Sequence, residues 1–208
     1  RCHRLVEAES QRDLPHHPDF GGFLVKANSE GQPGPCDFNR THAEGANMLA
    51  DALKPYKGIV MWRAFVYSPT DADRAKQAYL EFQPLDGQFR DNVIVQIKNG
   101  PVDFQPREPY SPLFGAMPRT PQMVEFQITQ EYLASPITLP ILPDVGRVLR
   151  LCEAVFTESH SSVANIGTDT NWCGHPFAQA TGTLLAHGWN PSLTSGTIAE
   201  EWLKQTFF

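Results

Sequence analysis

Apolar residues along this chain gather in five short runs, at 22–27 (GFLVKA), 58–67 (GIVMWRAFVY), 92–98 (NVIVQIK), 122–129 (QMVEFQIT) and 163–167 (VANIG). The runs are rich in Val, Ile and Phe and nearly continuous rather than alternating. That is the pattern of strands buried on both faces, as in a parallel sheet. Helical signals lie between several of them. Thr41-His-Ala-Glu44 has capping-box spacing and leads into a helix over 44–53. Residues 71–82 (DADRAKQAYLEF) join an acidic start to good helix formers. Residues 198–204 carry a further helical stretch.

The runs begin at 22, 58, 92, 122 and 163, so successive starts are 36, 34, 30 and 41 residues apart. A (β/α)8 barrel of ~250 residues uses roughly 31 per unit. The fold class is therefore α/β, with a partial (β/α)8 TIM barrel of about five βα units as the expected architecture. An open doubly wound sheet is the competitor. No linker or low-complexity segment interrupts the chain, so residues 1–208 are read as one barrel fragment.

Composition narrows the partners. Hydrophobic residues make up 41% and charged residues 19%, ordinary values for a chain that builds one substantial core. The net charge is −6 and no Lys/Arg cluster is present, which argues against nucleic acid or an anionic membrane surface as partner. No apolar run approaches the roughly 18–20 residues of a membrane helix, so no membrane insertion is expected. The opening stretch lacks the apolar core of a signal peptide and the chain has no initiator Met, which reads as a fragment. Cys2, Cys36, Cys152 and Cys173 form no CxxC pair and are too sparse for a disulfide scaffold; compartment stays open.

The candidate chemistry begins with three cations. Lys26, Arg63 and Lys98 each sit at or near the C-terminal end of an apolar run. Lys and Arg are almost never fully buried without a partner, so each either reaches solvent, joins a structural salt bridge or meets an anion in a site. Carboxylates follow the same runs: Glu30 four residues after Lys26, Asp103 five after Lys98, and Glu131 beyond the fourth run. In a barrel all these positions fall on the C-terminal face, where active sites lie. A lone acidic loop residue is usually just solvated; the convergence carries the signal. Such a set suits glycoside hydrolysis, with one carboxyl as proton donor and another activating water or attacking the sugar. The surplus cations suit an anionic group on the substrate, hence a sugar acid.

Other motifs are weaker. GQPGP at 31–35 lacks the GK[ST] of a phosphate loop, and no G-x-S-x-G elbow is present. Cys173-Gly-His175 lacks a second ligand pair, so no metal is expected. His16, His17 and His160 read as loop residues. Trp62, Trp172, Trp189 and Trp202 suit a core, and Trp172, after the fifth run, is also a candidate for lining a sugar site. Asn39-Arg-Thr41 is a glycosylation sequon, meaningful only in a protein secreted from a eukaryote.

At these same residues the sequence resembles glycoside hydrolase family 67, the α-glucuronidases. The resemblance runs through PDFGGFLVKANSEGQPGP (18–35), EGANMLADALKPYKGIVMWRAFVY (44–67), LDGQFRDNVIVQIKNGPVDFQPREPYSPLFGAMPRTPQMVEFQITQEYL (85–133) and VANIGTDTNWCGHPFAQA (163–180). It implies an inverting hydrolase without a cofactor. The implied substrates are xylo-oligosaccharides bearing α-1,2-linked glucuronic acid or its 4-O-methyl ether. Glu30 resembles the general acid, Asp103 and Glu131 the pair that activates water, and Lys26, Arg63 and Lys98 the uronate-binding residues. A homodimer is compatible with the family for a full-length protein. The family's N-terminal sandwich domain, first barrel strands and C-terminal helical region have no counterpart here. Residues 1–17 do not match the helix the family places before PDFGG, and 134–162 and 181–188 also depart from it. An open piece of barrel is expected to expose edge strands and apolar surface. Two readings follow: an active α-glucuronidase, or a truncated remnant that at most binds sugar acids. A barrel hydrolase acting on another acidic sugar is a third.

Overall fold

The computed structural model describes residues 2–17, 19–28, 31–64, 73–101, 109–128 and 160–164, together with 196, 197, 200, 201 and 204. Among these are the α-helices α1 (Cys2–Asp13), α2 (His42–Leu53) and α3 (Arg74–Phe82). Five strands accompany them: β1 (Gly22–Val25), β2 (Ile59–Arg63), β3 (Val93–Lys98), β4 (Gln122–Ile128) and β5 (His160–Ala164), in sheet order β1-β2-β3-β4-β5. The chain is thus α/β, as its sequence implies. It divides into two compact units, Arg1–Met123 and Val124–Phe208, the division falling inside β4.

In the first unit β1, β2 and β3 are parallel. Gly22 pairs with Ile59 and Val60 with Val93, so each strand begins nearly level with its neighbour. Gly22 has φ +144, and a Cβ there would lie 1.9 Å from the Ile59 carbonyl oxygen. Only glycine lets β1 start so close to β2. The backbone N–H of Val95 donates to the Pro121 carbonyl at 2.9 Å, which draws the approach to β4 alongside β3.

The helices cover one face of this sheet. Ala46, Ala50 and Leu53 of α2 recur at helical spacing, and all three are fully buried. They join one core with Val60, Trp62 and Ala64 from the β2 segment, Val93, Val95 and Ile97 of β3, and Phe82 of α3. Two small alanines let the helix approach closely, while burial of the Leu53 side chain contributes about 1.5–3 kcal/mol. The α2 start is closed reciprocally: Thr41 Oγ1 accepts from the Glu44 N–H at 3.1 Å, and Glu44 Oε2 accepts from the Thr41 N–H at 2.8 Å. These bonds satisfy two donors that a helix N-terminus leaves open. The backbone hydrogen bond from Thr41, then the one from the Arg40 side chain, hold the Glu44 carboxyl below its ordinary value.

Side chains also clamp the connections to the sheet. Asn47 of α2 donates to the Gln88 carbonyl and accepts from the Arg90 N–H, both at 2.8 Å. The Arg90 guanidinium grips both oxygens of Asp51 at 2.9 and 3.2 Å. Asn92 donates to the carbonyls of Ala50 and Gly58, tying the start of β3 to α2 and β2. Asp86 does the same for the segment entering β4. Its Oδ1 accepts from the Arg119 N–H and the Thr120 hydroxyl at 3.0 and 2.9 Å, and its Oδ2 from Arg119 Nε at 3.2 Å.

In the second unit β4 and β5 are parallel, with Val124 opposite His160 and Ile128 opposite Ala164. The fifth strand therefore starts three residues before the apolar run at 163, and 165–167 lie outside the described residues. Its polar opening, His-Ser-Ser, carries no hydrophobic signal; pairing with β4 makes it a strand. Residues 196, 197, 200, 201 and 204 are helical, and Lys204 bonds Glu200 at 2.7 Å one turn away. The α1 helix falls in residues 1–17, the stretch whose sequence does not match the helix the family places before PDFGG. Its Glu, Ala, Gln and Arg residues are good helix formers, an Arg12–Glu9 pair spans one turn, and Leu14 beyond its end enters the core. Among the described residues no helix is long and apolar enough to cross a membrane.

The Asp86 clamp generates a pH expectation. Burial is the largest single influence and pushes the carboxyl up, but the hydrogen bonds from Thr120 and from the Arg119 side chain and backbone together outweigh it, and the net shift is downward. A carboxyl depressed in the folded state stabilises above its unfolded pKa, and that contribution is lost as pH falls through the folded value. Asp86→Asn is expected to lower the melting temperature at pH 7, with the gap to the parent closing as pH drops below the ordinary Asp range. Melting curves from pH 7 to pH 3 check this; a gap independent of pH contradicts it.

Candidate active site

Side chains along a strand alternate between faces. Val60, Trp62 and Ala64 face the helices, as do Val93, Val95 and Ile97. Ile59, Met61 and Arg63, and likewise Ile94, Gln96 and Lys98, therefore occupy the opposite face. On that face Met61 stands beside Ile94, and Arg63 beside Gln96. Val25 pairs with Trp62, and continuing that register by one residue sets Lys26 beside Arg63. The three cations singled out in the sequence thus share one face and one end of the sheet, the end where the strands terminate.

Their surroundings differ. Lys26 and Arg63 are half-buried, while Lys98 is only 5% exposed. A lysine so deeply placed needs polar company, and all three make interactions within the chain. Glu30, Asp103, Glu131 and Trp172 lie outside the described residues.

The connection that carries Glu30 is held at its described positions. Asn28 takes the left-handed conformation, φ +53. Its Nδ2 reaches Asp37 Oδ2 at 3.5 Å, and the same oxygen accepts the Gly34 N–H at 2.8 Å. A Cβ on Gly34 would fall 2.0 Å from Asn28 Oδ1, so glycine is required where the two ends of 28–34 meet. Cys36 sits in the same connection. Partial burial first, then the Glu81 and Asp37 carboxylates, raise its thiol above the ordinary value, which makes it a poor thiolate nucleophile.

A buried network sets the orientation of β2 beneath the cations. Trp62 Nε1–H donates to His42 Nδ1 at 3.2 Å, and His42 Nε2 faces Glu81 Oε2 at 3.4 Å. Indole nitrogen is a donor only, so Nδ1 is the accepting nitrogen and Nε2 carries the proton toward Glu81. The imidazole is 3% exposed and stacks on Phe82 with centroids 4.6 Å apart; Gln77 donates to the other Glu81 oxygen at 3.2 Å. With Trp62 tied to α2 and α3, the next residue, Arg63, must point the other way. The sequence reading passed over His42, Gln96 and the buried Glu125 of β4. A polar residue inside an apolar run, at Gln96 and Glu125, was the available signal. Trp62 lies in the core, while Trp172, Trp189 and Trp202 fall outside the described residues. Among the described residues no group of three or more His, Cys, Asp or Glu side chains is placed to hold a metal ion.

A parallel sheet with helices on one face and cations gathered toward the strand ends of the other defines an α/β class of fold. The chain belongs to glycosyl hydrolase family 67, whose middle-domain model matches residues 9–166. It is 44% identical over 218 residues to a probable alpha-glucuronidase A of Neosartorya fischeri, covering 91% of this chain and 26% of that protein. It is 45% identical over 217 residues to an alpha-glucuronidase of Hypocrea jecorina, covering 91% and 25%. An alpha-glucuronidase A of Emericella nidulans is 44% identical over 220 residues, with 91% and 26% covered. The chain spans about a quarter of the length of these curated relatives.

The His42 network should behave as one unit. His42→Ala removes the acceptor of a buried indole N–H and is expected to cost about 1–3 kcal/mol, with loss of the Phe82 stack adding to it. A double-mutant cycle with Trp62→Phe should show coupling on the order of 1 kcal/mol in urea unfolding. Additive effects would mean that the hydrogen bond contributes nothing.

Proposed function

We propose that the chain is a catalytic segment of an α-glucuronidase. Its parallel strands and covering helices are read as about five units of a (β/α)8 barrel. The reaction is hydrolysis of the α-1,2 bond between glucuronic acid, or its 4-O-methyl ether, and xylose in xylo-oligosaccharides. The observation that carries this reading is the common face and common end shared by Lys26, Arg63 and Lys98, in a chain of family 67. Three cations at the rim of an apolar sheet suit a sugar carboxylate better than a neutral sugar.

In this mechanism the cations hold the uronate carboxylate and so orient the sugar. Glu30, protonated, gives its proton to the leaving xylosyl oxygen as the C1–O bond breaks. Asp103 and Glu131 take a proton from water, whose oxygen forms the new bond to C1 from the opposite side. The product is inverted glucuronic acid plus a xylo-oligosaccharide with a free hydroxyl, and no cofactor enters. Room for that water requires acid and base carboxyls on the order of 6.5–9.5 Å apart.

A second reading has one observation in its favour. Phe23 and Leu24 of β1 are 38% and 53% exposed, the apolar surface expected of a sheet lacking a neighbour. On that reading the chain binds sugar acids without turning them over. An assay for (4-O-methyl-)glucuronic acid released from aldouronic acids separates the two. Turnover is expected, and Glu30→Gln should lower it by roughly 10²–10⁴-fold while the circular dichroism spectrum is kept. Absence of product at high protein concentration would remove the catalytic reading, and an unimpaired Glu30→Gln would remove the acid assignment.

A further inference from the structure

We propose that Asn39 is the attachment site of an N-linked glycan, and that the first sugar of that glycan covers the exposed ring of Phe38; this stands apart from the α-glucuronidase reading. Asn39-Arg40-Thr41 is an acceptor sequon, whereas Asn190-Pro191-Ser192 is excluded by its central proline. The fold puts the first triplet on the surface, in the turn between the 3-10 helix Pro35–Phe38 and α2. Phe38, Asn39, Arg40 and Thr41 are all exposed. Asn39 takes the left-handed conformation, φ +54 and ψ +41, which Asn tolerates better than most residues bearing a side chain. Its backbone N–H closes the turn on the Cys36 carbonyl at 3.1 Å, and the Arg40 N–H does so on the Pro35 carbonyl at 3.0 Å. The Asn39 side-chain amide bonds none of the described residues, so Nδ2 is left to solvent.

Phe38 gives a second, independent observation. It is 70% exposed, the most exposed large apolar side chain among the described residues, and it takes no part in the core cluster. Such a ring is an apolar platform directly beside the acceptor amide. A pyranose presents a face of C–H bonds, and laying that face on Phe38 removes apolar surface from water on both partners. In the attachment step the Asn39 amide nitrogen bonds C1 of the first N-acetylglucosamine of a lipid-linked oligosaccharide, as the C1–O bond to the lipid pyrophosphate breaks. The pyrophosphate leaves with the bonding pair and the amide gives up one proton, so nothing is oxidised or reduced. In the folded chain the Thr41 hydroxyl oxygen is engaged as the α2 cap, accepting from the Glu44 N–H at 3.1 Å, and Asn39 is bent into the turn. A transferase that reads the amide and the Thr hydroxyl together therefore acts before α2 is capped, while the segment is extended. The cap then forms unhindered, because the glycan is carried by Asn39 and not by Thr41.

The test sends the full chain, behind a secretion leader, through the secretory pathway of yeast or insect cells. Mass spectrometry of the peptide containing Asn39 is expected to show an oligosaccharide on most copies, removed by a glycan amidase that leaves aspartate in its place. Asn39→Gln should abolish the addition, and Thr41→Ser, which keeps both sequon and cap, should retain it. An unmodified Asn39 in the parent chain overturns the proposal, and that outcome counts whether or not the chain folds, since transfer comes first. The covering of Phe38 is read in the melting temperature. Amidase treatment should lower it by roughly 2–4 °C, and Phe38→Ser should remove roughly half or more of that difference. The charge left by the amidase is common to both proteins and cancels in the comparison. Without a sharp melt, an NMR contact between the Phe38 ring protons and the first sugar supplies the same reading. A glycan whose stabilisation is the same with and without the ring, or a ring without contact to the sugar, overturns the covering of Phe38.

Discussion

Everything about the cation face depends on the two-residue alternation of strands that have one face committed to a helix-covered core. Val60, Trp62 and Ala64, with Val93, Val95 and Ile97, leave no freedom: slipping either strand by one residue would drive Arg63, Gln96 and Lys98 into the apolar core. Stranding an unpaired cation there costs several kcal/mol, more than any single contact on the other face could return. Burial on one side therefore dictates chemistry on the other.

Hydrogen bonds then sharpen what burial sets coarsely. The Trp62–His42–Glu81 network fixes β2 against both of its helices, and the Asn47, Asn92 and Asp86 clamps hold the turns through which β3 and β4 enter the sheet. These partners are separated by about 20 to 43 residues along the chain. Such non-local polar bonds contribute only about 1 kcal/mol each. Their larger effect is geometric, since a strand held at its start and on one face presents its last side chain in one direction. Any charged site on this face needs that constancy, because misplacing a charge by a fraction of an ångström weakens a bidentate contact.

How much of this was legible depends on the kind of signal each residue carries. The strands at 22, 58, 92 and 122 and the capping box at Thr41 stood out because hydrophobic run and cap are local patterns. The α1 helix did not, since its sequence is polar on most sides and its place comes from packing beside α2. The start of β5 was hidden for the same reason: His160-Ser-Ser is strand only because β4 pairs with it. The three cations were visible as charges misplaced in apolar runs. His42 was not, because a histidine at a helix start looks unremarkable until Trp62, twenty residues away, is found to need its acceptor.

By itself, then, the sequence determined the class of fold, the order of its first four strands, the family and the residue types near the strand ends, since each is written in local composition, spacing or long stretches of shared sequence. The tertiary structure alone decided that Lys26, Arg63 and Lys98 share a face, that Gln96 joins their row, and which nitrogen of His42 accepts from Trp62. Those are matters of register and facing between strands, set by which side chains a common core can bury, and no local stretch of chain encodes them.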